Sequence, residues 1–130
     1  MENRYGFGKA VNLGFDAAIT RVTEALQAEG FGIMTEIDVA ATMKKKLDHD
    51  MPPYRILGAC NAPYAKRVIG AEPGIGLLLP CNVVVRQDGG GAVHVEFMDP
   101  AILGQMSDQA EVARVGAEVR EKLLKVMAAL

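Results

Sequence analysis

Residues 77–98 read LLLPCNVVVRQDGGGAVHVEFM, and this stretch decides the fold. Two apolar runs, 77–87 and 92–98, flank the turn DGGG, in which glycine supplies the positive φ values that tight turns need. The sequence therefore predicts an antiparallel hairpin. Because proline donates no hydrogen bond to a strand ladder, we expect a bulge or bend at Pro80.

The spacing of apolar residues predicts one long helix before this hairpin and another after it. Residues 15–29 carry apolar side chains three or four apart, and Gly30 follows as a C-cap. The last helix begins at a cap on Ser107 or Asp108. Its apolar stripe consists of Val112, Val115, Val119, Leu123, Val126 and Leu130. Both stripes indicate helix faces buried against a core.

Shorter patterns complete the order of elements. Strands are predicted over 5–13, 31–37 and 54–60, with short helices that start after Asp38 and Asn61. The order is typical of a two-layer α+β domain over residues 1–130, with a largely antiparallel sheet and the long helices on one face. An open sheet face or edge is a natural dimer surface, so we expect a homodimer.

The charge balance excludes several classes of partner. Fourteen Lys and Arg against sixteen Asp and Glu give a net charge of −2. Nucleic acids and anionic membranes both require a concentrated basic field, so neither is expected. No apolar run approaches the roughly 18 residues that span a bilayer, and no secretory signal is visible. We therefore expect a soluble, cytoplasmic protein.

Cys60 is the most interesting candidate for chemistry. If Asn61 caps the following helix, the Cys60 thiol stands beside the positive helix end, with Lys66 and Arg67 one turn further. Such surroundings lower a thiol pKa and produce a reactive thiolate. The alternative is that Cys60 is a small buried hydrophobic residue that closes a strand.

A second Cys-Asn pair, Cys81 and Asn82, lies in the predicted hairpin strand. A strand has no comparable dipole, so Cys81 reads as a core residue that approaches Cys60 only if the two strands are neighbours. Asn61, Asn82, Lys66 and Arg67 are the candidate ligand-binding residues.

Other familiar sites have no basis in this sequence. Two cysteines and two histidines occur without zinc-site spacing, so no metal site and no cofactor are predicted. Residues 73–76 (PGIG) lack the Lys-Ser/Thr pair of a phosphate loop and read as a turn. His94 in a strand and His49 between two aspartates are explained by structural roles. Ser107 is the only serine and lies in no nucleophile elbow.

Two segments resemble the domain of unknown function 302 family. They are residues 54–63 (YRILGACNAP) and 76–85 (GLLLPCNVVV), and the helix at 15–29 and the FMDP corner at 97–100 fit as well. The resemblance implies a strand-helix-four-strand-helix domain like that of the TATA-binding protein, with short inserted helices, seen as a dimer. It implies no activity and no DNA binding, because a fold does not determine function.

Two classes of function remain. The first is a non-enzymatic homodimer that binds a small molecule or a metal, with the seven methionines lining an adaptable pocket. The second is a thiol-dependent sulfur carrier or redox protein in which Cys60 reacts and Cys81 resolves the product. The sequence favours the binding protein and names no substrate.

Overall fold

The computed structural model describes residues 3–130. Its five strands are β1 (Gly6–Val11), β2 (Gly32–Asp38), β3 (Tyr54–Cys60), β4 (Cys81–Gln87) and β5 (Val93–Met98). Its helices are α1 (Phe15–Ala28), α2 (Val39–Leu47), α3 (Ala62–Ala71), α4 (Ala101–Met106) and α5 (Ala110–Ala128), with a 3-10 helix over Pro73–Leu78.

The strands form one antiparallel sheet in the order β1-β5-β4-β3-β2. The long helix α1 packs against this sheet and against α5, which also packs on α3 and α4. The predicted two-layer α+β fold is therefore confirmed. The glycine-rich turn joins β4 to β5 as predicted, with Gly91 at a φ of 90°.

The core lies between the sheet and the long helices. Every second residue of the central strands is buried, and each long helix buries one stripe of side chains. Val83 and Val85 of β4 are fully buried, as is Val95 of β5, while the residues between them face the other side of the sheet. The buried helix residues are Ala18, Val22 and Leu26 in α1 and Val112, Val115, Gly116, Val119, Leu123 and Val126 in α5. Burying each large apolar side chain contributes about 1.5–3 kcal/mol before entropy is counted.

The strand predicted at 77–87 is shorter than expected. It begins at Cys81, immediately after Pro80, so the structure has a strand boundary where we expected a bulge. Pro80 cannot donate a hydrogen bond to the strand ladder. The residues before it, Pro73–Leu78, form a 3-10 helix instead of the start of a strand.

The start of the last helix also differs from the prediction. The short helix α4 precedes it, and α5 is N-capped at Gln109 instead of at Ser107 or Asp108. The Ser107 hydroxyl still accepts a hydrogen bond from the Gln109 amide at 3.1 Å. Ser107 therefore stabilises the turn between the two helices and does not cap α5 directly.

Gly116 permits a close approach between α5 and the corner that follows β5. A Cβ atom at this position would lie 2.7 Å from the carbonyl oxygen of Pro100, which is backbone. Such a distance is shorter than van der Waals contact, so a side chain would push α5 away from this corner. Glycine allows this contact in spite of its low helix propensity.

The sheet face opposite the helices carries paired polar side chains. Arg86 Nε donates to Glu96 at 2.7 Å, and these two side chains are less than one-third exposed. Asp88 lies 2.8 Å from His94 Nε2 and accepts from the amides of Gly90 and Ala92. These contacts hold the β4–β5 turn and the strands beside it in register.

The Gly116 contact predicts opposite effects for two glycine-to-alanine changes. We expect Gly116→Ala to lower the free energy of unfolding, because the methyl group meets the Pro100 carbonyl. The matched control Gly70→Ala, in α3, has open space around its Cβ position and should stabilise by about 0.5–1 kcal/mol. Urea unfolding of both variants measures the difference, and equal shifts would contradict the packing argument.

The polar pairs predict loss of stability in acid. Arg86 lowers the pKa of Glu96 below its ordinary 4.5, and His94 lowers that of Asp88 below 3.8. Because both folded-state values are depressed, the stabilisation is complete above the unfolded-state pKa and is lost as pH falls through the folded-state pKa. We expect the urea midpoint to fall from about pH 5 to about pH 3.

The variant Glu96→Gln should flatten this acid dependence, whereas Glu121→Gln, at an exposed glutamate of α5, should leave it unchanged. Identical pH profiles for Glu96→Gln and the unmodified protein would show that the Arg86 pair does not drive the acid transition.

Candidate functional site

A cavity of about 300 Å³ lies between α3, α5 and the adjoining ends of β3 and β4. Its walls are almost wholly apolar, and none of the side chains that line it is charged. The buried part of the wall comes from Phe31, Ala59, Val68, Cys81, Leu103, Val115 and Val119. Exposed apolar side chains, Met34 and Ile69, lie at its edge. The cavity is therefore open to solvent through an apolar rim.

Both cysteines line this cavity, because β3 ends where β4 begins. Ala59, the residue before Cys60, pairs directly with Cys81 across the two antiparallel strands. Cys60 is half-buried, Cys81 is buried, and both are free thiols. Cys60 and Cys81 therefore both belong to the lining of one cavity.

The Cys81 thiol is held in its neutral form. Burial, and to a smaller extent the charge that Cys60 would carry as a thiolate, raises its pKa from the usual 9.0 to about 11. Desolvation disfavours any charged form, so Cys81 remains protonated at pH 7.

Asn61 occupies the N-cap position of α3 without capping the helix through its side chain. Its amide nitrogen donates to the carbonyl oxygen of Glu29 at 3.3 Å, which joins the end of α1 to the start of α3. Gly30 makes room for this contact, since its φ is 88° and a Cβ there would lie 3.1 Å from the Asn61 amide nitrogen. Asn61 therefore lines the cavity and also supports its wall.

Asn82, Lys66 and Arg67 do not line the cavity. Asn82 is exposed and alternates with the buried residues of β4, so it lies on the opposite sheet face. Lys66 is exposed on α3, and Arg67 binds Glu111 of α5 at 2.6 Å. The predicted assistance of Arg67 to Cys60 is therefore not what the structure shows, because this guanidinium joins α3 to α5.

Several cavity residues had no sequence signal. Among the methionines of residues 3–130, Met34 lines the cavity, so the expected methionine-rich wall reduces to this side chain. Met34 lies where the register of β2 against β3 shifts, and such an irregularity leaves no pattern in the sequence. Tyr64, Ala65, Gly76, Leu79 and Pro80 complete the wall.

Within the described part of the chain, no group of three or more His, Cys, Asp or Glu side chains is placed to hold a metal ion. No helix in residues 3–130 combines the length and apolar character needed to cross a bilayer.

Comparisons with other proteins place the chain in a family. The model of the domain of unknown function DUF302 matches residues 7–130. A crystal structure of an uncharacterized conserved DUF302 protein from Bacillus stearothermophilus is similar, with a TM-score of 0.88, 26% identity and 98% of each chain covered. No curated protein matches the sequence. Sequence and structure together show that this chain belongs to the DUF302 family.

Proposed function

We propose that this protein is a homodimer that binds a small, uncharged, apolar molecule in the cavity between α3 and α5. The observation that carries the proposal is an apolar cavity with no charged residue in its wall, rimmed by exposed apolar side chains. Ligand sites in proteins are usually concave and mostly apolar, with a few polar groups that orient the ligand.

The wall chemistry selects the class of ligand. A buried charge needs a partner, and the lining side chains offer none, so an ionised ligand would be strongly disfavoured. Cys60, Asn61 and Tyr64 are the lining residues that carry a polar group and are not fully buried. They are suited to orient one neutral polar group of the ligand. A volume of about 300 Å³ lies at the small end of ordinary ligand sites, which favours a compact molecule.

The proposed dimer uses the sheet face opposite the helices. Ile37, Ile56 and Val84 are register neighbours across β2, β3 and β4 on this face, and Ile37 is 48% exposed. A row of apolar side chains on an uncovered sheet face supports association with a second copy, because a symmetric dimer buries the same row twice.

The thiol-dependent alternative is supported by one observation, the presence of Cys60 and Cys81 on the wall of a single cavity. In that case Cys60 is the reactive thiol and Cys81 the resolving thiol. The raised pKa of Cys81 opposes nucleophilic attack by that residue, which is why ligand binding is our first proposal.

The ligand proposal is tested with Nile red, a neutral apolar dye. We expect saturable fluorescence binding that Ala65→Phe weakens by at least about tenfold, because residue 65 lines the cavity and a phenyl ring fills it. The matched control Ala62→Phe, on the exposed side of α3, should keep the original affinity.

Two outcomes would contradict the ligand proposal. One is equal dye affinity in both variants, and the other is tighter binding of an anionic dye than of Nile red. Cys60→Ser separates the two functions, since a serine hydroxyl can still orient a neutral polar group of the ligand but cannot carry out thiol chemistry.

The dimer is tested by analytical ultracentrifugation. We expect the protein to sediment as a dimer and Val84→Lys to sediment as a monomer, because the symmetric interface would then have to bury two added ammonium groups. Ile102→Lys, at a 40% exposed position on α4, is the control and should remain dimeric. A monomeric unmodified protein would overturn this part of the proposal.

A further inference from the structure

A polar groove adjoins the apolar cavity along helix α3. It lies between the end of α1, the start of α3 and one side of α5, and its volume is about 700 Å³. The polar side chains that line it belong to Glu29, Asn61, Tyr64, Arg67 and Lys122. Asn61 and Tyr64 also line the apolar cavity. The cavity and the groove therefore share one wall, and a molecule seated against this wall reaches both.

Helical spacing explains why Tyr64 belongs to both spaces. Val68, four residues after Tyr64, lines the cavity, whereas Arg67, three residues after it, lines the groove. Residues three and four apart are neighbours on a helix surface, so Tyr64 lies at the boundary between the two faces. The guanidinium carbon of Arg67 lies 5.5 Å from the centroid of the Tyr64 ring. The ring thus borders a charged group as well as the apolar cavity.

Several polar groups of the groove have unused hydrogen-bonding capacity. The Asn61 amide nitrogen donates to the backbone carbonyl of Glu29 at 3.3 Å, which leaves the Asn61 side-chain oxygen as an acceptor. Among residues 3–130, neither the Glu29 carboxylate nor the Lys122 ammonium group has an ion-pair or hydrogen-bond partner. The groove therefore offers a charged donor, a charged acceptor and a neutral acceptor to a ligand.

Charges of both signs alternate around the groove and disfavour an ionised ligand. Arg67 donates to Glu111 at 2.6 Å and to Glu118 at 3.3 Å, so two carboxylates surround its guanidinium. An anion in the groove would meet these carboxylates and Glu29, while a cation would meet Lys122 and Arg67. A hydroxyl group both donates and accepts hydrogen bonds, so a neutral polyhydroxyl group suits this mixture of donors and acceptors.

We propose that the groove binds the polyhydroxyl head group of a neutral amphiphile whose apolar tail occupies the cavity. This inference rests on the proposed ligand function and narrows the ligand to compounds of the alkyl glycoside type. Hydroxyl groups of the head donate to the Glu29 carboxylate and the Asn61 oxygen, and they accept from the Lys122 ammonium group. Burial of the tail supplies affinity, and the groove selects the head group.

The test is displacement of Nile red by three compounds that carry the same eight-carbon tail. We expect octyl β-D-glucoside, used below its critical micelle concentration, to displace the dye at about a tenfold lower concentration than octanol. The reason is that each additional hydrogen bond strengthens binding about two- to tenfold. Octyl sulfate, whose head group is charged, should displace the dye less well than the glucoside.

A variant of the groove separates the head-group site from the cavity. Lys122→Ala should weaken displacement by octyl β-D-glucoside about threefold or more and leave displacement by octanol unchanged, because Lys122 lines the groove and not the cavity. Lys125→Ala is the matched control, since Lys125 is exposed on the same helix and lines neither space. Circular dichroism confirms that both variants are folded.

Three results would overturn the head-group site. They are equal displacement by the glucoside and octanol, an unchanged glucoside affinity in Lys122→Ala, and tighter binding of octyl sulfate than of the glucoside. If Nile red binds and octanol displaces it as well as the glucoside does, the groove is refuted and the ligand proposal stands. A protein that binds neither the dye nor the amphiphiles refutes both.

Discussion

The carbonyl oxygen of Pro100 lies 2.7 Å from where the Cβ atom of a side chain at residue 116 would lie, and the absence of that side chain lets α5 pack closely against α4 and the corner after β5. Val115 and Val119, the neighbours of Gly116 on the buried face of this helix, line the cavity. The depth to which α5 packs therefore sets both the core and the width of the cavity.

Most of the fold could be predicted from the sequence, because the relevant signals are local. Alternation in β4 and β5, the DGGG turn and the stripe of α5 each report on neighbouring residues. The α4 helix and the 3-10 helix of Pro73–Leu78 were missed. Each is only six residues long and is held by packing against other elements, so neither has an intrinsic pattern of its own.

The candidate site was predictable in part. Cys60 before a helix start and Asn61 at the N-cap position follow from sequence, and the structure places both at the cavity. Their roles do not follow, since Asn61 donates to Glu29 and Arg67 is held by Glu111 through contacts between distant segments. Met34 enters the site through a register shift, which depends on two strands and cannot be read from one.

The position of β1 has a consequence for the order of assembly. Three of the four strand pairings join segments that are consecutive strands, but β1 pairs with β5, so that Gly6 meets Met98. Closing so long a loop costs conformational entropy before the β1–β5 contacts that compensate for it have formed. During synthesis, the first strand to leave the ribosome is therefore the last to find its partner. Its Phe7 ring, which stacks on Phe97 in the finished domain, stays without that neighbour until the opposite end of the sheet exists.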